Sequence, residues 1–226
     1  MKVVALYRYP VKAMAAEPLE RAALDWFGLA HDRRYAFVRA DDRSDFPWLT
    51  IRQVPALTTY LPQVRDGTVQ VRTPAGRELD VDGPELAEEL AAAYGRPVRV
   101  LQSARGLFDA FPVSIISLQT VAAISELAGR ELDPLRFRAN IVIDAPGATF
   151  PEEAWVGREV RIGDARIRVD MRDERCMVIN FDPRTAERDP AVLRAVARHR
   201  ETCAAVYGSC VRPGEVRVGD AVVGGS

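Results

Sequence analysis

This chain has little histidine, almost no lysine and few cysteines, and each scarcity removes a class of chemistry. Only His31 and His199 are present, so a zinc site with several imidazole ligands is hard to build. Ser-His-Asp catalysis would have to use one of the two. His199 follows Arg198 and precedes Arg200, where a solvated helix face is expected. Three cysteines, an odd number, argue against a disulfide framework and for the reduced thiols of the cytoplasm. They form no iron–sulfur cluster motif, and there is no glycine-rich phosphate loop and no GxGxxG. No apolar run reaches the length of a membrane span. The opening MKVVALYRYP enters a strand pattern without a signal-peptide core, so a soluble chain without a membrane partner is expected. An excess of one charge is missing too: the net charge is −1, so no field favours nucleic acid or an anionic membrane.

Arginine takes the place of lysine. Of 31 basic residues only Lys2 and Lys12 are lysines, which leaves 29 arginines. The planar guanidinium suits phosphate, but the arginines are spread throughout the chain, as a GC-rich genome would produce. Their number alone points to no anion site. At 226 residues and 48% hydrophobic, the chain can bury a real core as one large domain or two small ones.

Short strand patterns dominate. Stretches 3–9, 34–39, 68–72, 98–101, 113–116 and 140–143 are rich in β-branched and aromatic residues. The near-copies Val-Arg-Ile-Gly-Asp-Ala (160–165) and Val-Arg-Val-Gly-Asp-Ala (216–221) each read as a hairpin turning at Gly-Asp. After the first, Ile167, Val169 and Met171 are expected on one apolar face. Three helices are expected, over 83–94, 117–128 and 189–202. Pro84 starts the first, Ser117 caps the second before the stop at Gly129, and Val192, Leu193, Val196 and Ala197 line the third. The whole reads as α+β, mainly β, with antiparallel barrel-like sheets and about three helices. A soft boundary near 102–110 divides it into 1–101 and 102–226.

The chemistry centres on Cys176, which follows Arg175 in the run Asp-Glu-Arg-Cys-Met-Val-Ile-Asn-Phe-Asp-Pro. A thiolate there could bind a soft metal or carry sulfur, and an inert structural cysteine is the plain alternative. Four other segments put a cation or amide at a strand end: Tyr9-Pro10-Val11-Lys12, Asp32-Arg33-Arg34-Tyr35, Thr50-Ile51-Arg52-Gln53 and Arg136-Phe137-Arg138-Ala139-Asn140. Such ends can converge on a ligand while the sheet holds them. Singly, each reads equally as surface solvation or a local backbone cap.

Together and in order, these segments resemble the MOSC family, the molybdenum-cofactor sulfurase C-terminal domain. The similarity is closer to the subgroup with an N-terminal β-barrel module, which includes the mitochondrial amidoxime-reducing component and its bacterial relatives. The matching stretches are Tyr-Pro-Val-Lys (9–12), Asp-Arg (32–33), Thr-x-Arg-Gln-x-Pro (50–55), Phe-Arg-x-Asn-Ile-Val-Ile (137–143) and Arg-Cys followed by Asp-Pro (175–183). The closing Gly-Glu-Val-Arg-Val-Gly-Asp (214–220) matches the family's final hairpin. The resemblance implies an N-terminal β module over 1–101 and a MOSC domain over 102–226.

It also implies a site. Cys176 matches the cysteine that ligates molybdenum. Lys12, Arg33, Arg52, Arg138 and Asn140 match positions holding the phosphate and pterin of the molybdenum cofactor, molybdopterin, with Ser117 and Arg175 as further candidates. Pyridoxal phosphate binding is a second property the family carries. A phosphate and a pterin edge need bidentate cations and amide groups, which these residue types supply. Two departures bear on the substrate. Gly208-Ser209-Cys210 stands where relatives carry Gly-x-aromatic, which puts Cys210 at the pocket edge. Ala13 follows the lysine where a hydroxyl residue is often found.

The implied function is a molybdenum oxidoreductase reducing N-oxygenated small molecules of the amidoxime or N-hydroxyl type. Its electrons would come from a separate ferredoxin- or cytochrome b5-type protein. A sulfur carrier with a Cys176 persulfide is the alternative. The loops 41–48 and 208–213 are expected over the metal; Phe46 and Trp48 read equally as aromatics flanking a planar substrate or as core or edge packing.

Overall fold

The short β-rich segments pair into one large sheet and three small ones. The structure is a computed structural model and describes residues 1–224. The chain begins with β1 (Lys2–Arg8), β2 (Glu17–Leu19), β3 (Arg21–Asp25), β4 (Gly28–Leu29) and β5 (Tyr35–Arg39). Strands β6 (Leu61–Arg65), β7 (Thr68–Arg72) and β8 (Glu78–Asp80) then lead to helix α1 (Pro84–Tyr94) and β9 (Val98–Gln102). Next come β10 (Val113–Ser117), α2 (Leu118–Ala128), β11 (Ile141–Asp144), β12 (Glu159–Ile162) and β13 (Ala165–Glu174). The chain closes with α3 (Ala191–Arg200), β14 (Cys203–Arg212), β15 (Gly214–Arg217) and β16 (Val222–Gly224). The fold is therefore mainly β with three α-helices among the described residues, as expected.

The large sheet runs β16-β12-β13-β14-β10-β11-β1-β2. Its one parallel pair, β10 and β11, is joined through α2, the crossover that parallel neighbours require. Every residue of β10 is buried, because both faces are covered. Ile115, Ile141 and Ile143 face one core with Val206. Ile116 and Val142 face the other, beneath α2 and α3. A third core is drawn almost wholly from residues between Val11 and Val98, closed by Phe181. Packing does not follow the chain in two blocks. Strand β1 pairs with β11 and β3 pairs with β15, so the first strands complete sheets of the C-terminal half.

The hairpin at 160–165 forms, with β12 and β13 antiparallel. The one expected at 216–221 does not: β15 pairs with β3 while β16 pairs with β12. The Gly-Asp turn there passes the chain between sheets, since each flanking strand finds an open edge elsewhere. Met171 also departs from expectation. A register shift lies between Val169 and Met171, a bulge that re-aims the strand. Met171 is exposed beyond it and Asp173 is buried instead. On α3 the buried alanine is Ala195, and Ala197 faces outward with His199.

Ser117 is fully committed to helix α2. Its hydroxyl accepts from the Thr120 backbone N–H at 2.9 Å, and its own N–H donates to the buried Glu152 carboxylate at 3.2 Å. Gly129 ends the helix in the left-handed conformation at φ 69°. We expect Ser117→Ala to lower the free energy of unfolding by about 1 kcal/mol in urea titration, the usual worth of a cap. Unchanged stability would contradict the capping role.

Candidate functional site

Strand ends and the loops beyond them surround a cavity of about 360 Å³. Pro10 takes the chain out of β1 and delivers Lys12. Asp32, fully buried, ties this end down by accepting from the Tyr9 N–H at 2.7 Å. Its second oxygen takes the Arg33 guanidinium, and Arg33 donates onward to the Arg138 carbonyl at 3.0 Å. Asn140 closes the junction: its amide nitrogen donates to the Tyr7 carbonyl at 3.2 Å and its oxygen accepts from Ser114 N–H at 3.2 Å. Three cavity residues hold positive φ without being glycine: Ala13 (70°), Arg33 (49°) and Arg138 (52°). Strain of this kind persists only where the surroundings over-determine it.

Arg138 is the distinctive group. Its guanidinium lies over the Tyr9 ring at 4.4 Å, and Arg33 lies over the same ring at 4.7 Å. Three cavity cations have carboxylate partners: Lys12 with Asp109, Arg33 with Asp32, and Arg175 with Asp173. Arg138 and Arg52 pair with no carboxylate among the described residues. Burial, with Arg33 adding to it, pushes Arg138 down to about 10. Burial also lowers Lys12, which Asp109 partly restores, and pushes the Tyr9 hydroxyl up to about 12. A cation that stacks on an aromatic ring and has no carboxylate salt bridge keeps electrostatic capacity that a ligand's anion can use. Arg138 also borders a second cavity, of about 380 Å³, with Tyr9 and Arg184.

Cys176 stands at the opposite element. Strand β13 ends at Glu174, and Cys176 precedes a short 3-10 turn, Met177–Asn180. Its thiol is exposed and lines the cavity. The preceding Arg175 is held by Asp173 and by the Phe137 carbonyl. Asp173 also accepts from the Ser114 hydroxyl at 2.9 Å, while its other oxygen has no hydrogen-bond partner. Burial works against the charge on Arg175, but Asp173, Tyr207 and Cys176 outweigh it and hold the guanidinium charged. Phe46, Phe108 and Phe111 line the same cavity. No group of three or more His, Cys, Asp or Glu side chains among the described residues could hold a metal ion. A metal on Cys176 would need its other ligands from a cofactor.

Of the residues singled out from sequence, Lys12, Arg33, Arg52, Arg138, Asn140, Arg175 and Cys176 all line this cavity. Ser117 does not, because helix α2 uses its polar groups. Asn140 lines it with its amide already engaged by backbone, so it positions its neighbours. Cys210 is not at the edge: on β14 it is buried in the first core, paired across to Ile167 of β13, and burial pushes its thiol up. The segment 208–213 is largely strand, and only Tyr207 of β14 reaches the cavity. Trp48 lies 5.9 Å from the Lys12 ammonium. Sequence reasoning missed Asp109, Asp173, Tyr207 and the two phenylalanines of segment 103–112. Asp173 had a signal: it is a carboxylate three residues before the cysteine.

The fold is mixed and mainly antiparallel, and its one exposed thiol faces an arginine-lined cavity. The chain belongs to the MOSC family: residues 102–223 match the MOSC domain and residues 1–110 match the MOSC N-terminal beta barrel domain. It is 26% identical over 262 residues to the human molybdenum cofactor sulfurase, covering 88% of this chain and 29% of that one. It is 29% identical over 152 residues to mouse mitochondrial amidoxime-reducing component 1, covering 62% of this chain and 42% of that one. The chain thus spans well under half the length of these relatives. The YUAD protein of Bacillus subtilis shares the fold, with a TM-score of 0.54 at 14% identity over 98% of this chain and 93% of that one. No described helix is long and apolar enough to cross a membrane.

The pH dependence of anion binding follows from the lowered cations. Lys12 and Arg138 lose their protons as pH rises through values below the ordinary lysine and arginine ranges. Each loss removes positive charge from the seat, so affinity falls on the alkaline side. Methyl phosphate, dianionic well below this range, should bind several-fold more weakly at about pH 10.5 than at about pH 8 by calorimetry. Binding should take up protons near the upper end. An affinity constant across that window would remove these cations from the seat.

Proposed function

We propose that this chain binds the molybdenum cofactor in the cavity and reduces N-oxygenated small molecules, taking electrons from a separate ferredoxin- or cytochrome b5-type protein. The observation that carries this reading is the meeting of one exposed thiol, Cys176, with the unpaired Arg138 in a single cavity. The names of the human and mouse relatives support a molybdenum-cofactor role.

In this reading the Cys176 sulfur ligates the metal, and Lys12, Arg33, Arg52 and Arg138 hold the terminal phosphate and pterin. When bound, the cofactor supplies two-electron chemistry at an oxygen atom of the substrate. Reducing an N–OH group to N–H consumes two electrons and two protons and releases water. Asp173 stands on the cavity wall as the carboxylate partner of Arg175 and accepts from the Ser114 hydroxyl, which fixes the residue just before Cys176. Phe46, Phe108 and Phe111 exclude water and suit a planar substrate. Pyridoxal phosphate would offer the same kind of phosphate to Arg138 but leaves Cys176 without a role. The reduced thiols suit the cytoplasm.

A second reading rests on the exposure of Cys176: a persulfide there would be open to an acceptor, making the chain a sulfur carrier. Purification from a host that makes the cofactor separates the two. Near-stoichiometric molybdenum that Cys176→Ser abolishes, with pterin lost in Arg138→Glu, is the expected result. A protein that retains neither metal nor pterin from such a host would sink the oxidoreductase reading. Cyanide-releasable sulfur on Cys176 without metal would favour the carrier.

A further inference from the structure

The Lys12 ammonium is not free to meet a ligand. It donates to the Asp109 carboxylate at 2.7 Å and to the Leu107 carbonyl at 2.8 Å. The two partners differ sharply in environment: the Lys12 side chain is 9% exposed and the Asp109 side chain 65% exposed. Asp109 sits in the segment 103–112, which has no regular secondary structure. The same segment carries Phe108 and Phe111 onto the cavity wall. A solvent-reaching carboxylate has thus been laid over a desolvated cation at the cavity's mouth.

We propose that Asp109 is an internal competitor for the anion seat at Lys12, so that a ligand's anionic end binds by displacing it and frees residues 107–112 from the cavity wall. The proposal rests on the reading above only so far as the cavity takes an anion. It is independent of any metal.

The charge pattern explains why such a competitor would be built in. Lys12, Arg33, Arg138 and Arg175 face one small space. Desolvated like charges repel, and Lys12 without a partner would be the least favourable of the set to keep charged. Asp109 compensates it in the empty cavity. A tethered carboxylate acts at a millimolar effective concentration, so it holds the seat against stray monoanions at low concentration. It yields to a ligand that also engages Arg138, a cation without a competing carboxylate among the described residues. Every ligand that uses Lys12 carries the same displacement cost. Removing Asp109 therefore raises affinity for all of them by the inverse of the fraction of open seats. A ligand that touches only Arg138 gains nothing.

Binding of methyl phosphate to the full chain, followed by calorimetry in wild type, Asp109→Asn and Arg138→Glu, tests this. Amide hydrogen exchange over 107–112 is measured alongside. Asp109→Asn should bind about tenfold tighter, the gain from unblocking a seat that is open about a tenth of the time. In wild type, methyl phosphate should speed exchange over 107–112; in Asp109→Asn that exchange should already be fast without ligand. Asp109→Ala, at the same exposed position, should behave alike. Equal affinity in wild type and Asp109→Asn, with Arg138→Glu abolishing binding, would overturn the competitor and leave the anion site standing. Failure of wild type and Asp109→Asn alike to bind methyl phosphate would overturn both.

Discussion

Holding several cations around one small cavity is unfavourable, and much of the local structure is arranged against that cost. Arg33 and Arg138 lie over the same Tyr9 ring, and like charges held partly out of water repel more strongly than they would in bulk solvent. The answer is a set of buried or tethered carboxylates: Asp32 for Arg33, Asp173 for Arg175, Asp109 for Lys12. Arg138 receives a ring and a strained backbone instead. What the protein leaves uncompensated, a ligand can compensate.

The same carboxylates shape the fold around the cavity. Asp32 fixes the end of β1 through the Tyr9 N–H, and so sets where the chain turns to present Lys12. Asp173 links β13 to β10 through Ser114 and aligns Arg175 just before Cys176. Asp173 is buried on the same alternation as Ile167 and Val169, while register irregularities between Val169 and Met171 and again between Arg172 and Glu174 leave Met171 exposed between them.

Local signals were legible and long-range ones were not. Pro84, Ser117 and Gly129 mark helix ends because capping is decided within one turn. The Gly-Asp at 163–164 makes its hairpin because both strands are neighbours in the sheet. The identical dipeptide at 219–220 does not, since β15 and β16 pair with distant strands. The candidate site divides in the same way. Its cations stood in short motifs at strand ends and could be picked out by residue type. Ser117 shared that appearance, and only its hydrogen bonds assign it to α2. Asp109 carried no local mark, since its partner is 97 residues away.

The sequence by itself determined the chemistry on offer: too few histidines for a zinc site of several imidazoles, a thiol beside an arginine, cations at strand ends, and motifs in an order matching one family. Those are properties of residue type and spacing, which a chain carries before it folds. The tertiary structure alone decided which of these groups face one another, which are spent on backbone, and which stay unpaired. Burial and convergence depend on sheet order and strand register, and these arise from pairings between residues far apart in the chain. Arg138 is the clearest case: as a letter it is one arginine of 29, and the fold makes it a half-buried cavity cation with no carboxylate partner among the described residues.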